Sequence, residues 1–535
     1  MTQLCVPIFV NDSALARRDM ALAAEAGASM IELRIDRFDN RAELALLVDR
    51  SPLPCIVTCR AAVEGGDCQL PEEQRWTVFS DTAVHNAAYV DVELAAYKQM
   101  PEATKSAIER PMILSSHDFS GRPERLTAVF LELNERRGHV SKLVWMARSI
   151  RDNIEAFELL QQRQKPTIAL CMGEAGLISR VLAKKFGAFL TFASLRDESA
   201  TAPGQVTIAD MKRLYRWDAI GPETKVYGVV ASPVMHSMSP AIHNAGFDAV
   251  GHDGVYLPML VNPGYESFKA FMETFLAFAP LHLSGLSVTL PHKENALRYL
   301  KEKGAKIEPL AERIGAVNTI AVDSPKGLPL RGFNTDYAAI LDTITTTLNI
   351  TREQLADLRV AVIGAGGTGR TAVAALAECG ATVVVYNRTK ERADELAKEF
   401  DGQSGKVVSA RMEKLCDSCC HIFINTTSIG MHPKVDESPL GDRLPSFTND
   451  TLVFDTIYNP METRLLKQAK QAGAKTVGGV EMFVRQAARQ FEAWTEKPAP
   501  LDVMRRVIES RLGSHRPEDG PALPERGEPA GPSAG

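Results

Sequence analysis

Residues 360–389 read VAVIGAGGTGRTAVAALAECGATVVVYNRT. An apolar run that ends at Ile363 enters a glycine-rich turn, and an Ala/Leu-rich helical stretch follows and ends at Gly380 before a second apolar run. Glycines in this order allow a tight turn, a close approach of backbone amides to a pyrophosphate, and close packing of the helix on the strand. The stretch therefore predicts a dinucleotide site; the alternative is a plain glycine turn.

The residues around this turn also predict which dinucleotide binds. The predicted cofactor contacts in the turn are Gly364, Ala365, Gly366, Gly367, Thr368 and Gly369. The second strand ends in Asn387, Arg388 and Thr389, where NAD-binding proteins place an acid that holds the ribose 2′-hydroxyl. A guanidinium between two small polar side chains suits a 2′-phosphate instead, so we predict NADP, against the alternative of a solvated arginine.

Bulk composition indicates an ordinary globular protein of several domains. The chain has 535 residues, 45% of them hydrophobic and 24% charged, and a net charge of −5 without a basic stripe gives no reason to expect nucleic acid. No apolar stretch of about 18 residues predicts a membrane span. The N-terminus, MTQLCVPIFV, begins like a strand, so we expect no leader peptide and a cytoplasmic location.

The nine cysteines are scattered, which indicates reduced thiols and not a disulfide framework. Cys416, Cys419, Cys420 and His421 contain one C-x-x-C and raise the alternative of a metal or redox site. Because no second pair lies at zinc spacing, we interpret them as incidental and predict no metal.

The first 195 residues contain eight short apolar runs at intervals of about 25 residues, separated by helix-like segments. The runs begin at Cys5, Met30, Cys55, Tyr89, Met112, Lys142, Pro166 and Leu190. This alternation predicts an α/β fold of the (β/α)8 barrel type, with an active site where the strands end. The alternative, an open doubly wound sheet, would need a phosphate turn that this region lacks.

Charged or titratable residues lie on these strands or close to their ends, where a purely structural barrel would have Val, Ile or Leu. They are Glu32, Arg34, Arg60, Glu93, His117, Lys142 and Arg180. A single one would be compatible with a paired surface charge, but seven together predict a polar pocket.

The stretches IELRID, TCRAAVEGG, VDVEL, SSHDF, KLVWMA, GLISR and TAPGQ, in this order, resemble type I 3-dehydroquinate dehydratase over about residues 1–215. The resemblance implies that Lys142 forms an imine with a substrate ketone, that His117 is the general acid/base, and that Glu93 orients the imidazole. It further implies that the substrate carboxylate and hydroxyls are bound by Glu32, Arg34, Arg60, Arg180, Thr201 and Gln205.

The chemistry agrees with these residue types. A protonated imine withdraws electrons from the neighbouring carbon, so a β-hydroxy ketone held in this way loses water readily. His117 titrates near neutral pH and can take up the proton and return it. The apolar run places Lys142 at the start of its strand, so its role rests on the resemblance alone.

A second set of motifs follows the segment YRWDAIGPETK, whose Gly-Pro pair is typical of a boundary between domains. Together with the glycine-rich unit, these motifs resemble shikimate dehydrogenase over about residues 225–512. They are SPVMHSMSPAIHNAGF, GLSVTLPHKENAL, GAVNTI and GFNTDYAAI. Lys293 and Asp336 are thereby implied at the carbon that is reduced, against the alternative of a surface ion pair. Substrate binding is implied for Ser237, Ser239, Thr289, Asn318, Tyr458 and Gln486, although the two serines before Pro240 also suit a helix cap.

The rest of the chain completes this interpretation. Thr426, in HIFINTTSIGM, and Gly479, before a helical stretch, are implied as further cofactor contacts. The predicted organisation is a barrel over residues 1–215, a linker over 216–225, a substrate-binding domain over 226–340, a Rossmann NADP-binding domain over 341–480, helices returning to the substrate domain over 481–512, and a disordered Pro/Gly-rich tail over 513–535.

The whole chain resembles the fused dehydroquinate dehydratase/shikimate dehydrogenases. The resemblance predicts dehydration of 3-dehydroquinate followed by reduction of the product with NADPH, with small molecules as partners and neither nucleic acid nor membrane. One alternative is a non-catalytic sensor built on the same folds. The presence of all four implied catalytic side chains, those of Lys142, His117, Lys293 and Asp336, argues against it. The other alternative is that the second half oxidises quinate or uses NAD. The oligomeric state stays open.

Overall fold

The eight apolar runs of the first 195 residues form parallel strands in a computed structural model of the chain, which describes residues 2–199, 202–323, 329–402 and 404–514. The strands are β1 (Gln3–Phe9), β2 (Met30–Arg34), β3 (Cys55–Thr58), β4 (Tyr89–Glu93), β5 (Met112–Asp118), β6 (Val140–Met146), β7 (Thr167–Met172) and β8 (Leu190–Phe192). Their order is β7-β6-β5-β4-β3-β2-β1-β8. The Phe189 N–H, just before β8, donates to Thr167 O of β7 at 2.8 Å, which brings β8 next to β7. The predicted barrel is confirmed.

The helices of the barrel cover the outside of these strands. They are α1 (Ser13–Glu25), α2 (Arg41–Asp49), α3 (Glu72–Phe79), α4 (Leu94–Gln99), α5 (Glu102–Ala107), α6 (Leu126–Glu135), α7 (Asp152–Gln161) and α8 (Leu177–Val181). Helices and strands share one apolar core, and a second cluster that includes Ile56, Ile113 and Val140 fills the barrel interior.

Strand β6 differs from the prediction at one point that matters for the site. It begins at Val140, so Lys142 lies inside the strand and not at its start. Because side chains alternate along a strand, Val140, Lys142 and Val144 share the inward face. Ser115 of β5 is the register partner of Lys142, and Ile113 is that of Val140. The Lys142 amine therefore lies one layer of side chains above the apolar residues Val140 and Ile113.

A mixed sheet follows the barrel, with strand order β10-β9-β11-β13-β14-β12. Strands β9 to β11 are parallel, and β13 is antiparallel to both β11 and β14. The elements are β9 (Lys225–Ala231), α9 (Ser239–Ala249), β10 (Gly254–Leu260), α10 (Tyr265–Ala277), β11 (Leu283–Val288), α11 (Lys293–Glu302), β12 (Lys306–Ile307), α12 (Pro309–Ile314), β13 (Thr319–Val322), β14 (Leu330–Phe333) and α13 (Thr335–Leu348).

The third sheet is entirely parallel, in the order β17-β16-β15-β18-β19-β20. Order reverses between β15 and β18, which is where dinucleotides bind in sheets of this type. Its elements are β15 (Arg359–Ile363), α14 (Gly367–Glu378), β16 (Thr382–Tyr386), α15 (Lys390–Phe400), β17 (Lys406–Ala410), β18 (Ile422–Asn425), β19 (Leu452–Asp455), α16 (Arg464–Gln471), β20 (Lys475–Val477), α17 (Gly479–Thr495) and α18 (Leu501–Ser514).

Packing groups the chain into two compact units. The first contains Met1–Asp342 and Arg485–Pro500, so the barrel and the mixed sheet belong together; the second contains Thr343–Val484 and the chain from Leu501. The limits drawn from the sequence stay predictions, and the predicted tail lies outside the described residues from position 515 onward. No helix in the described ranges is long and apolar enough to cross a bilayer.

Candidate active sites

The barrel has a pocket where its strands end. Most of the predicted dehydratase residues line it, together with Glu64, Phe119, Val144, Leu170, Met172 and Phe192; the predicted ones are Glu32, Arg34, Arg60, His117, Lys142, Arg180 and Gln205. Glu93 does not line this pocket, and Thr201 lies outside the described residues. The structure thus brings together a lysine, a histidine, three arginines and two carboxylates, which is the polar pocket expected from the strands.

Lys142 is buried and held by carboxylates. Its Nζ lies 2.8 Å from Asp91 Oδ2 and 3.7 Å from Glu32 Oε1, and 4.7 Å from the centre of the Phe192 ring. Burial alone would raise the pKa of Asp91, but the charges of Arg60 and Lys142 outweigh burial and hold that pKa well below its usual range. An ionised Asp91 therefore fixes the position of the amine.

His117 contacts Glu64, not Glu93. Its Nδ1 lies 2.9 Å from Glu64 Oε2, and the same oxygen accepts a bond from the His117 backbone N–H at 3.0 Å. The expectation that Glu93 orients the imidazole is therefore corrected: Glu64 occupies that place, because it follows Arg60 on the loop that covers the strand ends.

The electrostatics of this pair favour a neutral imidazole. Burial, followed by the charges of Arg60 and Lys142, lowers the pKa of His117 well below its usual value. Burial raises the pKa of Glu64 to about 7, against the opposing charge of Arg60. Since Nδ1 faces Glu64, Nε2 is the nitrogen that can accept a proton from a bound molecule.

Glu93 instead holds two buried arginines. Glu93 Oε2 lies 2.6 Å from Arg75 Nη1, and Glu93 Oε1 lies 3.4 Å from Arg60 Nη1. Arg60 also donates to Asp91 Oδ1 and Ser115 Oγ, both at 2.8 Å. These contacts fix the Arg60 guanidinium beside the residues that hold Lys142.

Two further arginines supply positive charge to the pocket. Arg34 pairs with Asp36 at 2.6 Å, and Asp36 also accepts the Arg60 backbone N–H at 3.0 Å. Arg180 is only 2% exposed, its Nε has no hydrogen-bond partner among the described residues, and burial lowers its pKa to about 10. A buried guanidinium with an unused donor suits an anionic ligand.

The mixed sheet contains the second group of predicted residues. Lys293, at the start of α11, and Asp336, in the first turn of α13, form an ion pair with 2.6 Å between Nζ and Oδ2. Asn318 lies beside them in the fold: its Oδ1 accepts the Thr335 backbone N–H at 2.8 Å, and its Nδ2 donates to Thr335 Oγ1 at 3.1 Å. Two consecutive residues of α13 therefore hold these side chains: Thr335 binds the Asn318 amide, and Asp336 binds Lys293.

The other predicted substrate contacts are only partly joined to this group. Ser237 Oγ accepts the Ser239 backbone N–H at 3.2 Å, at the start of α9. Thr289 is exposed after β11 and Gln486 is buried on α17, and among the described contacts no hydrogen bond links either to Lys293, Asp336 or Asn318. The predicted shared site stays a prediction for these residues.

The glycine-rich turn has the predicted geometry. Gly364 has φ +112°, which L side chains rarely adopt, and a Cβ on Gly369 would lie 2.3 Å from Gly364 O. A Cβ on Gly366 or Gly367 would meet nothing within 4 Å, so open space lies in front of the first turn of α14. The turn, which contains Ala365, Thr368 and the glycines, fits a bound pyrophosphate, because the first backbone amides of a helix have no partner within the helix and attract an anion.

Asn387 and Thr426, two of the remaining predicted cofactor residues, adjoin this turn within the second unit. Asn387 Oδ1 accepts the Ala365 N–H at 3.2 Å and its Nδ2 donates to Thr389 O at 2.8 Å, whereas Arg388 is exposed. Thr426 Oγ1 donates to Ile363 O at 2.8 Å. Elsewhere in this unit, Gly479 N donates to Ile457 O at 3.0 Å, and Tyr458 stacks on Phe483 with 5.1 Å between ring centres.

Two residues at the barrel site, Glu64 and Asp91, were not predicted from the sequence. Glu64 stands in the quoted motif TCRAAVEGG, and Asp91 stands two residues before Glu93 on the same face of β4. That spacing could have identified Asp91.

No group of three or more His, Cys, Asp or Glu in the described ranges could hold a metal ion. In the C-x-x-C segment, the Cys416 thiol donates to Arg443 O.

Comparison with known families covers nearly the whole chain. Type I 3-dehydroquinase matches residues 4–222, and the shikimate dehydrogenase substrate binding domain matches residues 229–320. Shikimate / quinate 5-dehydrogenase matches residues 347–460, and the shikimate 5′-dehydrogenase C-terminal domain matches residues 479–509.

Several individual proteins are similar to this chain. The chloroplastic bifunctional 3-dehydroquinate dehydratase/shikimate dehydrogenase of Arabidopsis thaliana is 37% identical over 94% of this chain and 84% of its own length. Shikimate dehydrogenase (NADP(+)) of Methanosarcina acetivorans is 42% identical over 53% of this chain and 97% of its own length. A crystal structure of shikimate dehydrogenase in complex with NADP+ is 34% identical, with a TM-score of 0.48, over 54% of this chain and 96% of its own.

Proposed function

The chain belongs to the family of bifunctional 3-dehydroquinate dehydratase/shikimate dehydrogenases, and from this premise we propose that it catalyses two consecutive reactions. The barrel dehydrates 3-dehydroquinate to 3-dehydroshikimate through an imine with Lys142. The remainder of the chain reduces 3-dehydroshikimate to shikimate with NADPH. The observation that supports the proposal most strongly is a buried lysine amine, 2.8 Å from Asp91, that shares one pocket with the His117–Glu64 pair.

In the dehydratase reaction, the Lys142 ammonium passes a proton to the neutral His117 imidazole, and its amine attacks the ketone carbon. The hydroxyl formed there takes the proton back from His117 and leaves as water, which gives an imine that is protonated on nitrogen. His117 Nε2 removes a proton from the carbon next to the imine carbon, and the electron pair enters the imine system. His117 returns the proton to the departing hydroxyl, which leaves as water. Hydrolysis of the product imine then releases Lys142.

The other residues of the pocket hold the substrate and balance charge. Arg180 and Arg34 bind the substrate carboxylate, while Glu32, Arg60, Gln205 and Thr201 bind hydroxyls. Glu64 stabilises the imidazolium that forms on His117 during proton removal. The apolar side chains Leu170, Met172 and Phe192 limit access of water to the imine.

In the dehydrogenase reaction, the chemistry that NADPH would supply when bound is the transfer of a hydride to the ketone carbon. The oxygen that gains negative charge is next to Lys293, whose ammonium donates the proton, and Asp336 holds Nζ at 2.6 Å. Ser237, Ser239, Thr289, Asn318 and Gln486 bind the substrate carboxylate and hydroxyls.

NADPH is the proposed cofactor because the turn and its neighbours fit that molecule. The amides at the start of α14 bind the pyrophosphate, and Asn387, Arg388 and Thr389 bind the 2′-phosphate. Arg388 is exposed and forms no hydrogen bond or ion pair with any described residue, so its guanidinium is available. Thr426 and Gly479 complete the proposed site.

We also propose a reducing, cytoplasmic location. All nine cysteines lie in the described ranges and are thiols, which agrees with a compartment that keeps cysteines reduced. Fluorescence microscopy of a tagged chain in its own host tests this, and accumulation in an oxidising or enclosed compartment would contradict it.

The dehydratase half is tested by trapping the imine. Borohydride added with 3-dehydroquinate should attach the reduced substrate to Lys142, as read by peptide mass, and abolish dehydratase activity. The Lys142→Ala variant should be unlabelled and inactive as a dehydratase while it still oxidises shikimate with NADP+. Dehydratase activity retained in Lys142→Ala would refute the proposed mechanism.

The dehydrogenase half is tested in the same protein by following NADPH oxidation with 3-dehydroshikimate. Lys293→Ala should lose this activity and keep dehydratase activity, which makes the two variants controls for each other. Equal rates with NADH and NADPH would contradict the proposed role of Arg388.

A further inference from the structure

Two buried cysteines lie in contact beside the barrel pocket. Cys59 follows β3 directly and Cys68 closes the loop that begins after Arg60, and their Sγ atoms are 3.4 Å apart. The two residues are 1% and 6% exposed. A disulfide has an S–S distance of about 2.05 Å, so a shift of little more than about 1 Å would allow the two sulfurs to bond.

The pair closes a loop that bears residues of the proposed dehydratase site. Residues 60–67 lie between the cysteines and include Arg60 and Glu64, the partner of His117. The Cys68 N–H donates to Arg60 O at 3.2 Å, and the Asp67 N–H donates to Asp36 Oδ2 at 3.1 Å. Movement of Cys68 is therefore transmitted directly to the backbone that positions Arg60 and Glu64.

The loop has little room to absorb such a movement. A Cβ on Gly66 would lie 2.1 Å from Arg60 O, and Arg75 Nη1 holds Cys59 O at 2.8 Å. Asp36 Oδ1 also holds the Arg60 backbone N–H at 3.0 Å. Misplacement of a catalytic group by about 1 Å can cost about 100-fold in rate, so a covalent bond between these sulfurs would reduce turnover.

We propose that Cys59 and Cys68 form a reversible disulfide under peroxide, and that this modification switches off the barrel's activity while the dehydrogenase stays active. The proposal rests on the proposed dehydratase function for its effect, but not for the formation of the bond. Cys68, the more exposed of the two, reacts first. The Cys68 thiol loses its proton and its sulfur attacks one oxygen of hydrogen peroxide, which breaks the O–O bond; the displaced hydroxide takes up the proton, so the products are a sulfenic acid and water. Cys59 then attacks that sulfur, which forms the S–S bond and releases a second water.

The test uses the intact chain treated with hydrogen peroxide and then with excess dithiothreitol. We expect a peptide linked through Cys59 and Cys68 with the mass of two hydrogens lost, a fall of at least about tenfold in dehydratase rate, and recovery with dithiothreitol. The dehydrogenase rate of the same sample serves as the internal control. Cys68→Ala should keep its dehydratase activity under peroxide, whereas Cys419→Ala, which removes an exposed thiol elsewhere, should respond like the parent.

The proposal would be overturned by the absence of a linked peptide after treatment, or by a linked peptide with an unchanged dehydratase rate. Loss of activity that persists in Cys68→Ala would also overturn it, because another oxidation would then be the cause. If the untreated chain has no dehydratase activity, the proposed function fails instead; the linked peptide still decides whether the bond forms.

Discussion

Glu64, which is partly buried, and Glu93, which is buried, lie near each other and act on different partners. Glu64 contacts the imidazole of His117, whereas Glu93 contacts the guanidinium groups of Arg60 and Arg75. We expect Glu64→Gln to lower the dehydratase kcat by about 100-fold with little change in melting temperature, because the imidazolium loses its counter-charge. Steady-state rates and thermal unfolding measure both effects.

Glu93→Gln is the matched comparison. It removes a charge between two buried arginines, so we expect a loss of about 3 kcal/mol in the free energy of unfolding. The opposite result, in which Glu93→Gln impairs kcat without destabilising the fold and Glu64→Gln does neither, would restore the interpretation made from the resemblance.

The same carboxylate predicts the pH dependence of the barrel. Burial raises the pKa of Glu64 to about 7, and burial lowers the pKa of His117, so His117 is neutral and available as a base near neutral pH. Below about pH 7, Glu64 takes up a proton and can no longer stabilise the imidazolium. We therefore expect the dehydratase kcat/KM to fall as the pH decreases through about 7, and this limb to be absent in Glu64→Gln. Rates measured from about pH 5 to pH 9 would show it; an identical limb in both proteins would assign it to another group.

At the scale of elements, the turn between β15 and α14 separates residues needed for folding from residues needed for the ligand. A Cβ on Gly369 would collide with Gly364 O at 2.3 Å, whereas a Cβ on Gly366 would meet only open space. We expect Gly369→Ala to lower the melting temperature, and Gly366→Ala to leave it unchanged while weakening NADPH binding about tenfold or more. Fluorescence titration with NADPH and thermal unfolding without it make the distinction. Unchanged NADPH affinity in Gly366→Ala would show that the pyrophosphate does not approach this turn.

The elements also show why the sequence predicted some parts of the molecule better than others. The barrel strands were predictable because each is a short apolar run bounded by helix-like segments, and the observed strands start within two residues of the predicted ones. Lys142 was misplaced at a strand start because the two residues before it, Val140 and Ser141, extend the strand through pairing with β5, which local hydropathy cannot reveal. Glu64 was missed for a related reason: its distance to His117, 53 positions along the chain, depends on how a loop folds over the strand ends.

At the scale of the whole molecule, the barrel and the mixed sheet share one apolar core, which includes residues from Leu4 to Leu330. Phe186 of the barrel stacks on Phe157 at 4.0 Å and lies 5.8 Å from Phe278 after α10. Lys185 adds hydrogen bonds from its Nζ to Pro222 O at 2.5 Å and to Thr224 O at 2.9 Å. The fusion of the two activities is therefore more than a flexible link, because the first unit folds the barrel and the mixed sheet around a continuous interior.

Lys185 allows this continuity to be tested. We expect the first unit to unfold in one transition, and Lys185→Met to lower its stability by about 2 kcal/mol, because the buried carbonyl of Thr224 and the carbonyl of Pro222 lose their donor. Lys184→Met is the control: Lys184 also bonds two linker carbonyls, those of Trp217 and Asp218, but it is more exposed and water can replace it.

Burial lowers the pKa of Lys185 from 10.5 to about 8, so between these values the unfolded chain binds more protons than the folded one. The advantage of the parent over Lys185→Met should therefore grow as the pH rises from about 8 to about 10.5. Calorimetry at several pH values measures this difference, and separate transitions for the barrel and the mixed sheet, or equal effects of the two lysine variants, would show that the two parts fold independently.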